Sequence, residues 1–280
     1  MVSSSLSDLP LEGMKQDTGT SNAAGAWGGV LAITTLACRA QAKGANSLAV
    51  SVRVLGCHLL AVLIFLTGCA QETLFQSNFD QTPTGQPPSA AQAVGTANVD
   101  GPAGSVIVVT SPVTPSGKWV QISQPGEPQF VASLQGTFAQ VRGDGTYTFS
   151  AILFIPSGNG PATIRFESQG VVSPDLPTVF LHLDFMPDNR VRIDDDPGTL
   201  FGTFPHDQIF IVQVTLNINA SAATAHIVLS GAGASGQADY NIALALRPVA
   251  RQFGAVRLMM GFPSTGKFDA TTIVVTRKTQ

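Results

Sequence analysis

From about Gly95 onward, short apolar runs alternate with clusters of Gly, Pro, Ser, Asn and Asp. Within the runs the spacing has a period of two, the signature of strands whose side chains point to opposite faces in turn. The clearest case places Phe210, Val212, Val214, Leu216 and Ile218 on one face and Gln213, Thr215 and Asn217 on the other. Thr146–Ile155 does the same, with Tyr147, Phe149, Ala151, Leu153 and Ile155 together. Val106–Thr110 is a continuous β-branched run that suits a buried strand, and Ile164 and Phe166 point away from Arg165 and Glu167. Ala225–Leu229, Ala255–Met260 and Thr271–Thr276 complete the set, and no segment keeps a helical period over several turns. The pattern predicts an all-β chain folded as an antiparallel β-sandwich.

One hairpin can be checked against its own sequence. Val179–Met186 and Arg190–Asp194 flank Pro187-Asp188-Asn189, and Asn tolerates the left-handed conformation that a three-residue loop uses. With those three residues as the loop, Phe185 faces Val191 and Leu183 faces Ile193 on the apolar side. Asp184 then faces Arg192, and His182 faces Asp194, on the polar side. A two-residue loop would set Phe185 against Arg192 and mix the faces, so it is disfavoured.

Upstream lies an apolar run of a different kind, Leu59-Leu-Ala-Val-Leu-Ile-Phe-Leu66, closed by Thr67-Gly68-Cys69. It falls well short of the roughly 20 apolar residues a membrane-crossing helix needs, but matches the apolar segment of a secretory signal. Leu66-Thr67-Gly68-Cys69 resembles the lipobox of bacterial lipoproteins. The resemblance implies that Cys69 receives a diacylglyceryl group and becomes the first residue of the processed chain. Ala70 rather than Asp follows the cysteine, which by the same resemblance implies the outer membrane. Arg53 supplies a modest positive region in front of the run. Two other cysteines fit less well: Arg53 interrupts the approach to Cys57, and Thr35 stands where Leu is wanted before Cys38.

A signal of ordinary length ending at Cys69 would begin near Val50–Val54, so residues 1–50 read as an upstream extension and 51–68 as the signal. Residues 69–94, with Thr82-Pro-Thr-Gly-Gln-Pro-Pro88, read as the lipidated cysteine and a tether that includes a possible first strand, and 95–280 as the sandwich. All three cysteines precede residue 70, so the processed monomer has no thiol pair for a disulfide and none for a cysteine metal site. A domain of about 200 residues buries roughly 70% of its unfolded surface, which suffices without crosslinks. From residue 70 onward eleven Lys and Arg stand against fifteen Asp and Glu, a net of minus four. There is no basic stripe of the kind nucleic acid requires and no polybasic membrane patch, leaving the acyl chains as the membrane attachment.

The pieces Gln208-Ile-Phe-Ile-Val-Gln-Val-Thr-Leu-Asn-Ile-Asn219, His226-Ile-Val-Leu-Ser-Gly231 and Lys267-Phe-Asp-Ala-Thr-Thr-Ile-Val-Val-Thr276 resemble strands of the concanavalin A-like, or laminin G-like, jelly roll. An immunoglobulin-like sandwich is the structural competitor, and a single domain of this length favours the jelly roll. The resemblance implies either sugar-binding modules or glycan-active enzymes. The hydrolases place several carboxylates at alternate positions of one strand, near Glu-x-Asp-x-x-Glu, so that acid and nucleophile flank the sugar bond. Arg165-Phe-Glu167 and His182-Leu-Asp184 carry one carboxylate each, so that motif is missing. Lyases of this fold are expected to use a Tyr beside His, Gln or Arg, and only Tyr147 and Tyr240 are available, Tyr147 on the core face. No catalytic residue is assigned.

The polar positions Arg165, Glu167, His182, Asp184, Arg192 and Asp194 share one face and form the candidate ligand surface. The plain alternative is a wet sheet face carrying cross-strand charge pairs worth about 0.2–1 kcal/mol each. Asp194-Asp195-Asp196-Pro-Gly offers closely spaced oxygen ligands and is a calcium candidate, against the simpler reading of a solvated turn. His206 and His226 read as ordinary loop and strand residues, and Trp119 is the one tryptophan after Cys69. The sequence therefore predicts a lipid-anchored envelope protein with a non-catalytic binding or structural sandwich, directed at carbohydrate or an envelope protein. A hydrolase or lyase with an unrecognised site, and a purely structural envelope component, are the alternatives.

Overall fold

Fifteen strands in two antiparallel sheets make up the described part of the chain. The computed structural model describes residues 70–113, 117–126, 131–168, 179–194, 199–243, 252–261 and 265–278, all within the unit Gly68–Gln280. Cys69, the apolar run before it, Asp195 and Asp196 lie outside the described residues. In chain order the strands are β1 (Gln71–Ser77), β2 (Thr96–Asp100), β3 (Val106–Thr110), β4 (Lys118–Gln124) and β5 (Ser133–Arg142). Then come β6 (Gly145–Phe154), β7 (Ala162–Ser168), β8 (Val179–Phe185), β9 (Val191–Ile193) and β10 (Leu200–Phe201). The last five are β11 (Ile209–Ile218), β12 (Ala223–Gly231), β13 (Gly236–Ile242), β14 (Phe253–Met260) and β15 (Gly266–Lys278).

The larger sheet runs β13-β12-β11-β6-β15-β4-β3, with β1 added along β15. The other runs β10-β9-β8-β7-β14-β5-β2. Sequence neighbours such as β5 and β6 fall in different sheets, and β14 inserts between β7 and β5, giving a sandwich of jelly-roll type. Among the described residues no helix is long and apolar enough to cross a membrane. The predicted runs become strands at or within two residues of the positions their periods mark, β3 without any displacement, except that the last strand starts at Gly266, five residues before the predicted Thr271.

The inner faces interlock through aromatic side chains from both sheets. Phe149 of β6 meets Phe166 of β7 edge-on at 5.4 Å, and Tyr147 meets Phe253 of β14 at 5.2 Å. Such edge-to-face pairs contribute about 0.5–1.5 kcal/mol beyond the area they bury. Toward the other end Phe185, Phe204 and Phe210 form a second aromatic group, with centroids 5.3–5.7 Å apart. Phe75 of β1 is fully buried and lies on the backbone of Gly136 in β5, where an added Cβ would come within 2.7 Å of the ring. β1 thus belongs to the sandwich core.

The hairpin register is the one its faces require: Phe185 pairs with Val191, Asp184 with Arg192 and Leu183 with Ile193. Asn189 takes φ 67° and its amide N–H donates to the Met186 carbonyl at 3.1 Å, while its side chain donates to the Phe204 carbonyl. The polar side of this hairpin differs from a wet sheet face. Glu167, His182, Asp184 and Asp194 are all buried, although they point away from the apolar interior.

Candidate functional site

Pairing across β9, β8, β7, β14 and β5 fixes where the polar side chains fall. His182 is opposite Arg165, Arg165 opposite Arg257, and Arg257 opposite Gln135. Two residues along, Arg192, Asp184 and Thr163 form a second row. Because strand side chains alternate, these rows share the outer face of the seven-stranded sheet. All six positions of the candidate surface are therefore brought together, and Ser133, Gln135, Thr163, Arg257 and Tyr240 join them.

Burial forces each charge to find partners, because an unpaired buried ion is costly. Glu167, with no exposure, accepts from Arg257 Nε at 2.7 Å on one oxygen. Its other oxygen accepts from Gln135 Nε2 at 2.6 Å and Arg257 Nη2 at 3.2 Å. The remaining Arg257 nitrogen, Nη1, donates to Ser133 Oγ at 3.0 Å. Planar guanidinium and carboxylate match in this side-on geometry, which gives direction as well as attraction.

Asp184 divides its oxygens in the same way, accepting from Thr163 Oγ1 at 2.6 Å and Arg192 Nη2 at 2.7 Å. Asp194 accepts from the His182 backbone N–H at 3.0 Å and from the Tyr240 hydroxyl at 2.7 Å. Asp194 sits at φ 52°, a conformation that its short polar side chain tolerates. The His182 ring lies between the two aspartates, 3.8 Å from Asp184 and 3.6 Å from Asp194. Tyr240 comes from β13, at the edge of the opposite sheet, so its bond to Asp194 ties the two sheets together at that edge.

Every carboxylate in this network has both oxygens engaged. A proton donor or nucleophile in glycosidic cleavage must present an oxygen to the substrate, and none of these three does so without giving up a partner. The tyrosines are occupied too. Tyr147 is wholly buried with its hydroxyl bonded to the Gly143 carbonyl, and burial raises its pKa against the opposing pull of Arg277 and Arg142. What stays partly open is the pair Arg165 and Arg192, standing over a buried polar floor. Counting Arg257 with them, three guanidinium groups stand against three carboxylates among the described residues of this face.

The calcium candidate is represented by Asp194 alone, whose oxygens are both taken as described. Among the described residues no group of three His, Cys, Asp or Glu is placed to hold a metal ion. Trp119 is buried and provides no flat sugar platform. His226 pairs with Asp239 on the exposed face of β12 and β13, and His206 rests against the Phe204 ring.

Ser133, Gln135, Thr163, Tyr240 and Arg257 are the network residues absent from the sequence-predicted face, and Arg257 and Gln135 are those that hold Glu167. Arg257 sits inside Ala255–Met260, which reads as a continuous apolar run, and Gln135 stands alone between Leu134 and Gly136. The usable signal was the single Arg in an otherwise apolar strand, because a buried Arg demands a carboxylate.

No protein-family model matches the chain, and no curated protein sequence matches it. Solved structures of similar fold include arcelin-5, a lectin-like defence protein from Phaseolus vulgaris, at 9% identity over 75% of this chain and 99% of that one, TM-score 0.46. Lectin II from Ulex europaeus is 10% identical over 75% and 99%, TM-score 0.45. The catalytic domain of a glycoside hydrolase family 131 protein from Coprinopsis cinerea is 14% identical over 73% and 94%, TM-score 0.46. Lectins and a hydrolase stand side by side in this set, so no activity follows from it.

Proposed function

We propose that this chain is an envelope lipoprotein, held in the outer membrane through acylated Cys69, whose sandwich is a non-catalytic module for a hydroxyl-rich ligand, a glycan foremost. The observation that carries the non-catalytic reading is the double engagement of Glu167, Asp184 and Asp194. A rigid polar floor whose carboxylates are matched by Arg257 together with the two partly exposed guanidinium groups above it suits neutral hydroxyls, which accept from Arg without requiring a compensating charge. Pre-formed polar groups lose little freedom on binding, which favours a module that recognises without reacting.

Two measurements test the reading. Metabolic labelling with an alkynyl fatty acid should mark the chain and lose the mark in Cys69→Ala; label retained in that variant removes the anchor. Glycan binding by residues 70–280 should weaken at least tenfold in Arg165→Ala with Arg192→Ala, the loss of about 1.4 kcal/mol that a charged hydrogen-bond donor can supply. Undiminished binding with the fold intact would move the ligand away from this face.

A further inference from the structure

We infer that one end of the sandwich, where β1 begins and β15 finishes, is a membrane-contacting surface whose groove takes a phospholipid headgroup. The inference rests on the acylation of Cys69 proposed above. Only Ala70 separates that cysteine from Gln71, the first residue of β1, which pairs with Lys278 at the end of β15. Two residues of extended chain reach about 7 Å. β1 runs along β15 from there, and Phe75 locks it into the core, so the short reach cannot be lengthened without unzipping a buried strand. An acyl-bearing residue at the headgroup layer therefore holds this end of the domain against the bilayer.

The surface so placed has a groove of about 680 Å³, lined by Asp144, Gly145, Thr146, Asn217, Arg277 and Lys278 among others. Arg277 is built into it. Its guanidinium lies across Gly145, where an added Cβ would come within 2.9 Å of Nε, and sits 5.7 Å from the centre of the Tyr147 ring. Nη2 donates to the Asp144 carbonyl at 2.7 Å, and Nε has no hydrogen-bond partner among the described residues. Exposed Lys278 stands beside it. The groove thus offers two cations and the Asn217 side-chain N–H, held in place by the Thr146 hydroxyl that donates to Asn217 Oδ1 at 2.9 Å, donors suited to a lipid phosphate and its glycerol oxygens.

Among the described residues charge divides along the strands in the same sense. Arg142, Arg277 and Lys278 at this end exceed Glu72 and Asp144 by one. Asp100, Asp188 and Asp207 at the other end exceed Arg190 and Lys267 by one. A bilayer with anionic lipids attracts the first end and repels the second.

The test uses the full chain, processed in a bacterial host and reconstituted into vesicles of phosphatidylethanolamine and phosphatidylglycerol. A nitroxide is placed at Ala222→Cys, in the exposed turn beside the groove, or at Ser157→Cys, exposed at the opposite end of β6. Collision with a water-soluble nickel chelate should be severalfold weaker at 222 than at 157. Lys278→Gln should raise the collision rate at 222 while the protein stays on the vesicles. Equal rates at both positions in acylated, vesicle-bound protein overturn the orientation and leave the anchor standing. An unchanged rate at 222 in Lys278→Gln overturns the headgroup groove, and absence of acylation overturns the inference together with the anchor.

Discussion

Glu167 and Arg257 hold each other in a place where neither has water to fall back on. Glu167→Gln leaves Arg257 a buried cation without its counter-charge and should cost about 3–5 kcal/mol in urea unfolding. Glu167→Leu with Arg257→Met should recover most of that loss, since a well-packed apolar pair often replaces a buried ion pair at little cost. A smaller penalty for the single variant than for the double would contradict the pairing. Asp269 behaves differently, because burial raises its pKa, while the Gln121 amide at 3.0 Å and Lys267 oppose the rise. The folded state then binds this proton more tightly than the unfolded state does. The stability it contributes is present below the ordinary carboxylate range and is lost as pH rises through the raised value. Asp269→Asn should therefore gain on the parent in melting temperature as pH rises to neutral and converge with it in acid. Charged residues on the candidate surface were legible in the sequence one strand at a time. Their burial was not, since alternation shows only that one face is polar and cannot show how far its side chains are shielded from water. Arg257 stayed hidden because its apolar neighbours on both faces of β14 are buried too.

At the scale of elements, the β8–β9 hairpin shows what local pattern can determine. Its faces, loop length and left-handed Asn189 all follow from residues close in sequence. Asn189→Ala should cost about 1–2 kcal/mol for the left-handed conformation, and Asn189→Gly distinctly less, although both lose the bond to Phe204. Equal losses in a denaturant titration would place the whole effect in that hydrogen bond. β1 is the opposite case. Leu74 and Phe75 are adjacent and both buried, and the register slips between Thr73 and Phe75, so the strand breaks its own alternation. β5 is masked in a similar way, because Gly136 stands where Phe75 needs room and removes an apolar signal from the run. The insertion of β14 between β7 and β5 joins residues some 90 to 120 positions apart, as in Arg257 with Glu167 and with Ser133, and no local period records such a pairing. The row from His182 to Gln135 exists only because of that insertion.

Taken whole, the sandwich is stabilised by two interlocked inner faces and by a polar network on the outer face of the smaller sheet, and residues 70–280 contain no cysteine for a disulfide. Residues 70–280 should melt in one cooperative transition that reductant does not move. Removing residues 70–77 should abolish that transition, because it exposes Phe75's place in the core and strips β15 of a partner; an unaltered melt would remove β1 from the fold. His182→Ala with Arg192→Ala should also lower the melting temperature clearly, since Asp184 would lose a charged partner in a buried setting. The proposed module holds a glycan on this face without cleaving it. The most direct measurement exposes residues 70–280 to a polysaccharide array and follows retention together with the release of reducing or unsaturated ends. Bound glycan should be recovered intact. Retention accompanied by newly formed ends, or no retention on any glycan, would contradict it.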